Sequence, residues 1–215
     1  MREIEYFYSA HSAFAYIGSD KLAQICRDHN ARLIHKPILL SPVVEAVGGL
    51  PFAARTQAHV DYFFGREIER WAEWRGVEII THRPTFHDNP LDLPNGLIIA
   101  AVEQGADVDA LAYAILQAHW RDDADIADAT VLRGLLDVLG MDAGLLDRAK
   151  SAPVQAISKA NTQEAIARSV FGSPTYVLDG DPFYGQDRLE LLERALLTPF
   201  AKTVFQNPSV DAKQA

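Results

Sequence analysis

The segment from Arg2 to Lys36 constrains the fold more than any other part of the chain. Ile4, Tyr6 and Tyr8 alternate with Glu3, Glu5 and Phe7, the period-two signature of a strand from Arg2 to Tyr8. From Ala13 to about Asn30 the period changes. Phe14, Ile17, Leu22, Ile25 and Cys26 share one side of a 3.6-residue wheel, which predicts a helix directly after a short turn and places Cys26 in the core. Arg32 to Lys36 reads as a second short strand, closed by Pro37, which has no N–H to give to a ladder. Strand, helix and strand in this order require a parallel pair joined by a right-handed crossover.

The sheet does not continue at once. Val60, Phe64, Ile68 and Trp71 recur at helical spacing between Pro51 and Gly76, and Gly76 is placed to stop that helix. After a Pro-rich stretch from Pro84 to Pro94, amphipathic pieces run over Leu97 to Gln104, Val108 to Trp120 and Thr130 to Gly140, then Asp142 to Lys150 and Pro153 to Ser169. Asn161 and Glu164 are spaced like a capping pair. Strand character resumes at Thr175 to Leu178, turns at Asp179-Gly180 and returns through Pro182 to Tyr184. A last helix is expected from about Asp187, with Glu190 as its capping partner and Leu189, Leu192 and Leu196 inward. The expected architecture is an α/β core formed by residues 1–40 and 170–200, a helical insertion over 41–169, and a loosely held tail over 201–215.

Composition narrows the function. The 215 residues are 48% hydrophobic and 23% charged, the balance of an ordinary globular protein. A net charge of -9 repels phosphate backbones, so no nucleic-acid partner is expected. Met1 to Glu5 carries charges where a signal peptide needs an apolar run, and no segment reads as a membrane span. A cytoplasmic location is expected. Cys26 is the sole cysteine, which rules out an internal disulfide and thiolate metal sites. The seven histidines lack metal-ligand spacing, His82 and His87 lying in a Pro-broken loop, so no metal is expected.

The chemistry sits at the first turn. Ser12 lies where the opening strand gives way to the helix, and Ser173-Pro174 precedes the strand at Thr175; this pairing of segments is how a thioredoxin-like active site is built. A dithiol protein would carry Cys-x-x-Cys at that turn, whereas here it offers one hydroxyl, so the thiol must come from outside, with glutathione as the natural source. Ser12 can act as an N-cap, its oxygen accepting from a first-turn amide. In the same place it can donate to a thiolate drawn by free amides and the helix dipole. Ser173-Pro174 reads either as a loop or as a cis bond that leaves the backbone of Ser173 open to an extended peptide. Asp187 is either a cap or, with Arg188, a contact for the zwitterionic γ-glutamyl end of the tripeptide. Lys36 reads as a snorkelling lysine and Asn95 as a helix cap behind Pro94. His11 adjoins Ser12, but adjacent residues of this turn need not point together, so a Ser/His hydrolase is not indicated.

Several stretches together resemble the 2-hydroxychromene-2-carboxylate isomerase family: the first turn, Lys36-Pro37-Ile38-Leu39-Leu40, Glu69-Arg70-Trp71-Ala72, His119-Trp120 with Asp125-Ile126-Ala127-Asp128, Phe171-Gly172-Ser173-Pro174-Thr175 and Phe183-Tyr184-Gly185-Gln186-Asp187-Arg188-Leu189. The similarity runs from about residue 3 to residue 197 and extends to the kappa-class glutathione transferases. The resemblance implies a DsbA-type thioredoxin-like fold with a large helical insertion, a homodimer, and glutathione as a returning cofactor. It implies reversible conversion of 2-hydroxychromene-2-carboxylate to trans-o-hydroxybenzylidenepyruvate in aromatic catabolism such as naphthalene degradation. On that basis Ser12 contacts the sulfur, Ser173, Pro174, Asp187 and Arg188 position the tripeptide, and Lys36, Asn95 and His11 face an aromatic pyruvate or chromene carboxylate substrate. The chain departs from the family pattern at His11 and Ala13, where an apolar residue and a proline are usual, and at Gly49, where an asparagine is frequent. These departures bear on the substrate more than on the fold. A kappa-like transferase or peroxidase and a non-catalytic thiol-peptide binding module stay open as alternatives.

Overall fold

The structure, a computed structural model, describes residues 1–208. Its sheet has four strands, β1 (Arg2–Tyr8), β2 (Ala31–Pro37), β3 (Thr175–Leu178) and β4 (Asp181–Tyr184), in the spatial order β2-β1-β3-β4. β1 runs parallel to β2, with Ile4 opposite Leu33, and antiparallel to β3, with Ile4 opposite Leu178; β3 and β4 form the hairpin. Asp179 and Gly180 both take positive φ, at 52° and 86°, which is what a two-residue hairpin turn demands. β2 lies at the edge of the sheet, where Pro37 is tolerated.

Among the described residues ten α-helices accompany the sheet: α1 (Ala13–Asp28), α2 (Leu40–Ala46), α3 (Gln57–Asp61), α4 (Glu67–Arg75), α5 (Asp92–Gln104), α6 (Val108–Trp120), α7 (Ala129–Leu139), α8 (Leu145–Ala149), α9 (Ala152–Ala167) and α10 (Leu189–Leu197). Alternation along β1 divides the interior in two. Ile4, Tyr6 and Tyr8 point into the larger core with α1, α5, α6 and α10, while Phe7 joins Ile38, Val43, Ala165, Val170 and Val177 on the face covered by α2 and α9. The rings of Tyr6 and Tyr8 stack 4.0 Å apart, and Tyr176 of β3 extends the stack at 5.3 Å. Cys26 is buried in the larger core, and that burial pushes its thiol up to about 11.

Helix boundaries correct several sequence expectations. α3 and α4 are joined by a widened turn over Tyr62–Arg66, so the helix expected between Pro51 and Gly76 is not uniform. α2, at 40–46, carries no strong amphipathic signal and was not expected. Asn161 and Glu164 do not cap a helix. Both lie inside α9, where Asn161 donates to the Pro37 carbonyl at 3.4 Å and Glu164 binds Lys36 and Arg168. Asp187 is not an N-cap either. Residues 186–188 form a single tight turn and α10 starts at Leu189, with Asp187 paired to Arg188. α1 presses closely on that turn: a Cβ added to Gly18 would lie 2.7 Å from Cβ of Gln186. Of the tail, residues 201–208 form no regular element, and the expectation for 209–215 lies outside the described residues.

Candidate active site

The turn between β1 and α1 is built from Ser9 to Ser12. Ser12 has extended backbone angles, its side chain accepts from the Ala15 amide at 3.3 Å, and its own hydroxyl donates to the Ser173 carbonyl at 3.3 Å. Ser12 therefore caps α1 and ties that cap to the segment before β3. Ser173 reciprocates, its hydroxyl accepting from the Ser9 amide at 3.0 Å. The Ser173-Pro174 bond is cis, and the Pro174 carbonyl accepts from Gly185, two residues before Asp187. The amides of Ala13 and Phe14 have no partner among the described residues. They lie on the positive end of a 16-residue helix, a place that favours an anion.

A group of imidazoles backs this turn. Nδ1 of His11 lies 2.7 Å from the Ser9 hydroxyl, and the ring of His11 sits 4.4 Å from that of His87 and 6.3 Å from that of His119. His87 and His119 share a hydrogen bond of 2.9 Å, and Trp120 donates its indole N–H to the His11 carbonyl at 2.8 Å. Desolvation lowers all three imidazoles, aided by their mutual repulsion for His11 and His87, taking His11 to about 4 and His87 to about 2. They stand uncharged at neutral pH. Among the described residues no group of three or more His, Cys, Asp or Glu side chains is arranged to hold a metal ion. Sequence reasoning missed Ser9 and set His87 aside as a loop residue. The only hint was His119-Trp120, which carried part of the family resemblance.

Other expected site residues lie elsewhere or are engaged. Lys36 is held by Glu5 at 2.9 Å and Glu164 at 2.6 Å, over the ring of Phe7 and under α9, with Arg168 closing the network on both carboxylates. The Arg168 guanidinium, seconded by Lys36, holds the Glu5 carboxyl down at about 2. Asn95 is fully buried in the first turn of α5, donating to the Ile38 carbonyl at 3.2 Å, with its own oxygen unpartnered. In this arrangement the Lys36 ammonium is engaged by two carboxylates and the Asn95 amide N–H by the Ile38 carbonyl, leaving the Asn95 oxygen as the unpaired group. Asp187 and Arg188 pair with each other beside Gly185. Arg188 also lines a cleft of about 410 Å³ with Pro182, Phe183, Tyr184, Leu191 and Phe200, none of them in the Ser9–Ser12 turn.

This topology, with a capped α1 facing the residue before a cis-proline, matches the DSBA-like thioredoxin domain over residues 3–197. The chain belongs to the DSBA-like thioredoxin family. It is 27% identical over 205 residues to 2-hydroxychromene-2-carboxylate isomerase of Sphingobium xenophagum, covering 91% of this chain and 98% of that one. It is 23% identical over 203 residues to glutathione S-transferase kappa 1 of Rattus norvegicus, covering 89% of each. Among solved structures, a 2-hydroxychromene-2-carboxylate isomerase superposes with a TM-score of 0.76 at 23% identity, covering 90% of this chain and 94% of its own, a likeness of fold. No helix among the described residues is long and apolar enough to cross a membrane.

Proposed function

We propose that this chain is a glutathione-dependent isomerase of arylidene pyruvates, of the kind that interconverts 2-hydroxychromene-2-carboxylate and trans-o-hydroxybenzylidenepyruvate. The observation that carries the reading is the Ser12 hydroxyl, held between the first turn of α1 and the Ser173 carbonyl beside two free amides. When bound, glutathione supplies a nucleophilic thiolate, which adds reversibly to the conjugated alkene and makes its double bond rotatable. Ser12, once its single O–H turns from the Ser173 carbonyl to the sulfur, would hold it as an anion together with the amides of Ala13 and Phe14, because a hydroxyl donor and a helix terminus both favour the thiolate over the thiol. Ser173 and Pro174 would set the register of the tripeptide backbone, with Asp187 and Arg188 meeting its γ-glutamyl end. The hydroxyl of Ser12 keeps its proton throughout, because it serves as a donor and not as a nucleophile.

The reading further includes a homodimer and a cytoplasmic location, where reduced glutathione is abundant. Similarity to a kappa-class transferase favours one rival, in which the sulfur stays on the product. Turnover of trans-o-hydroxybenzylidenepyruvate, followed by absorbance with the glutathione recovered and weighed against product, separates the two. Conversion at sub-stoichiometric glutathione with full recovery is expected. Consumption of one glutathione per product would establish transfer, and absence of turnover with either substrate class would sink both.

A further inference from the structure

We propose that His11 is the proton acceptor for the thiol drawn to the amino end of α1, with Ser9 holding its Nδ1 and His87 and His119 keeping it uncharged until that thiol arrives. The inference rests on the glutathione reading and adds to it the fate of the proton.

The tautomers follow from the partners. Nδ1 of His119 faces the Ala124 carbonyl at 3.5 Å, and a carbonyl only accepts, so His119 carries its hydrogen on Nδ1 and presents a lone pair at Nε2. His87 must then donate from its own Nδ1 into that lone pair. A serine hydroxyl both donates and accepts, so the form of His11 able to take a proton is the tautomer whose Nδ1–H donates to Ser9, 2.7 Å away, and leaves a lone pair at Nε2. The ring is held on three sides, by Ser9, by the face of His87 and through its own carbonyl by Trp120. Of the groups that act on it electrostatically, His119 and Arg83 oppose a positive charge, and Asp88, paired with Arg83, favours one.

Such an imidazole stays neutral without a neighbouring anion, which accords with its lowered value of about 4. A thiol brought beside it changes the balance. The S–H bond breaks, the proton bonds to Nε2, and a thiolate-imidazolium pair forms with no change of net charge and no oxidant or reductant. When the thiol leaves, Nε2 returns the proton to sulfur. Paired in this way, thiols ionise well below their free value of about 8.5. His11 lies one residue before the helix cap, so a sulfur held at the Ala13 and Phe14 amides would meet the base directly or through one water.

The test combines histidine-selective nitrogen-15 NMR with thiolate absorbance on the intact protein. Adding glutathione is expected to move the His11 resonances, assigned by their loss in His11→Gln, from the neutral to the imidazolium pattern. S-methylglutathione, which has no thiol proton, should leave them neutral. In His11→Gln the ionisation of bound glutathione is expected to rise by about one pH unit or more toward 8.5, with turnover falling about 100-fold, while calorimetry still records binding. His11→Asn, which retains a group at the Nδ1 position for Ser9 but none at Nε2, should behave like His11→Gln. Binding with a neutral His11 and an unchanged thiol ionisation in the variants would overturn the proposal and leave the glutathione reading standing. Failure of the wild-type protein to bind glutathione at all would overturn both.

Discussion

Two networks of titratable side chains are anchored on β1, and they solve the problem of burial in opposite ways. Under α9, Glu5, Lys36, Glu164 and Arg168 stay ionised because every charge meets an opposite one. Beyond the end of the same strand, His11, His87 and His119 give up their charge because burial desolvates them and their direct partners are one another, a hydroxyl and a carbonyl. A neutralised charge network has nothing left to offer a ligand. An uncharged imidazole beside a helix terminus keeps a nitrogen to offer, and in the proposal above that difference separates a lysine held by its partners from a histidine that takes a proton.

The comparison breaks first at Ser12. Ser12→Ala is expected to lower glutathione-dependent turnover about 100-fold and to cost about 1 kcal/mol as a lost cap, read by kinetics and urea unfolding respectively; full activity in the variant would remove Ser12 from the chemistry. On the other side, Lys36→Met should reduce stability by about 1 kcal/mol and leave turnover within about threefold. A tenfold rise in KM for a carboxylate substrate would mean that Lys36 leaves its two carboxylates during the reaction.

Acid sharpens the contrast, because the two networks fail in different windows. His11 falls from 6.5 in an ordinary setting to about 4 in the fold, so the unfolded chain takes up protons first as pH drops. The stability held by the neutral imidazoles is complete above 6.5 and is lost as pH falls below it, down to about 4 for His11 and about 2 for His87, so this network starts to fail two pH units above the ionic one. Glu5 falls from 4.5 to about 2, so the ionic network is intact above 4.5 and is lost between 4.5 and 2. His87→Phe should flatten the upper part of a urea-midpoint profile against pH, and Glu5→Gln the lower part. A profile unaltered in its own window would show that network to be inert. The smallest effect belongs to Cys26, which lies in neither network: Cys26→Ala should retain full glutathione-dependent turnover, and its loss would relocate the reactive sulfur to the chain itself.

Much of this was legible in the residues. Period-two alternation gave β1, the Asp179-Gly180 turn gave the β3–β4 hairpin, and the Ser12 and Ser173 segments were paired before any coordinates because each is a local signature. What escaped depends on contact between distant segments. Nothing near Asn161 indicates that it will reach the Pro37 carbonyl 124 positions away, so its spacing from Glu164 looked like a cap. The pairing of Lys36 was hidden in the same way, because its two carboxylates lie 31 and 128 positions off along the chain. His87 and His119 approach only after α6 and the Pro-rich loop have packed, and no local periodicity signals a polar cluster of that kind. α5 started five residues early for a related reason: Pro94 was read as a break, although proline is tolerated in a first helical turn.

The strand order also bears on how the molecule is made. β1 is translated well before its antiparallel neighbour β3, which follows only after some 170 positions have passed. During that interval β1 and β2 can pair while the other edge of β1 stays bare, a surface open to wrong partners in a crowded cell. Closing so long a loop adds little to the final free energy but slows the last step, so nascent chains halted before Thr175 should depend on chaperones in a way the finished protein does not.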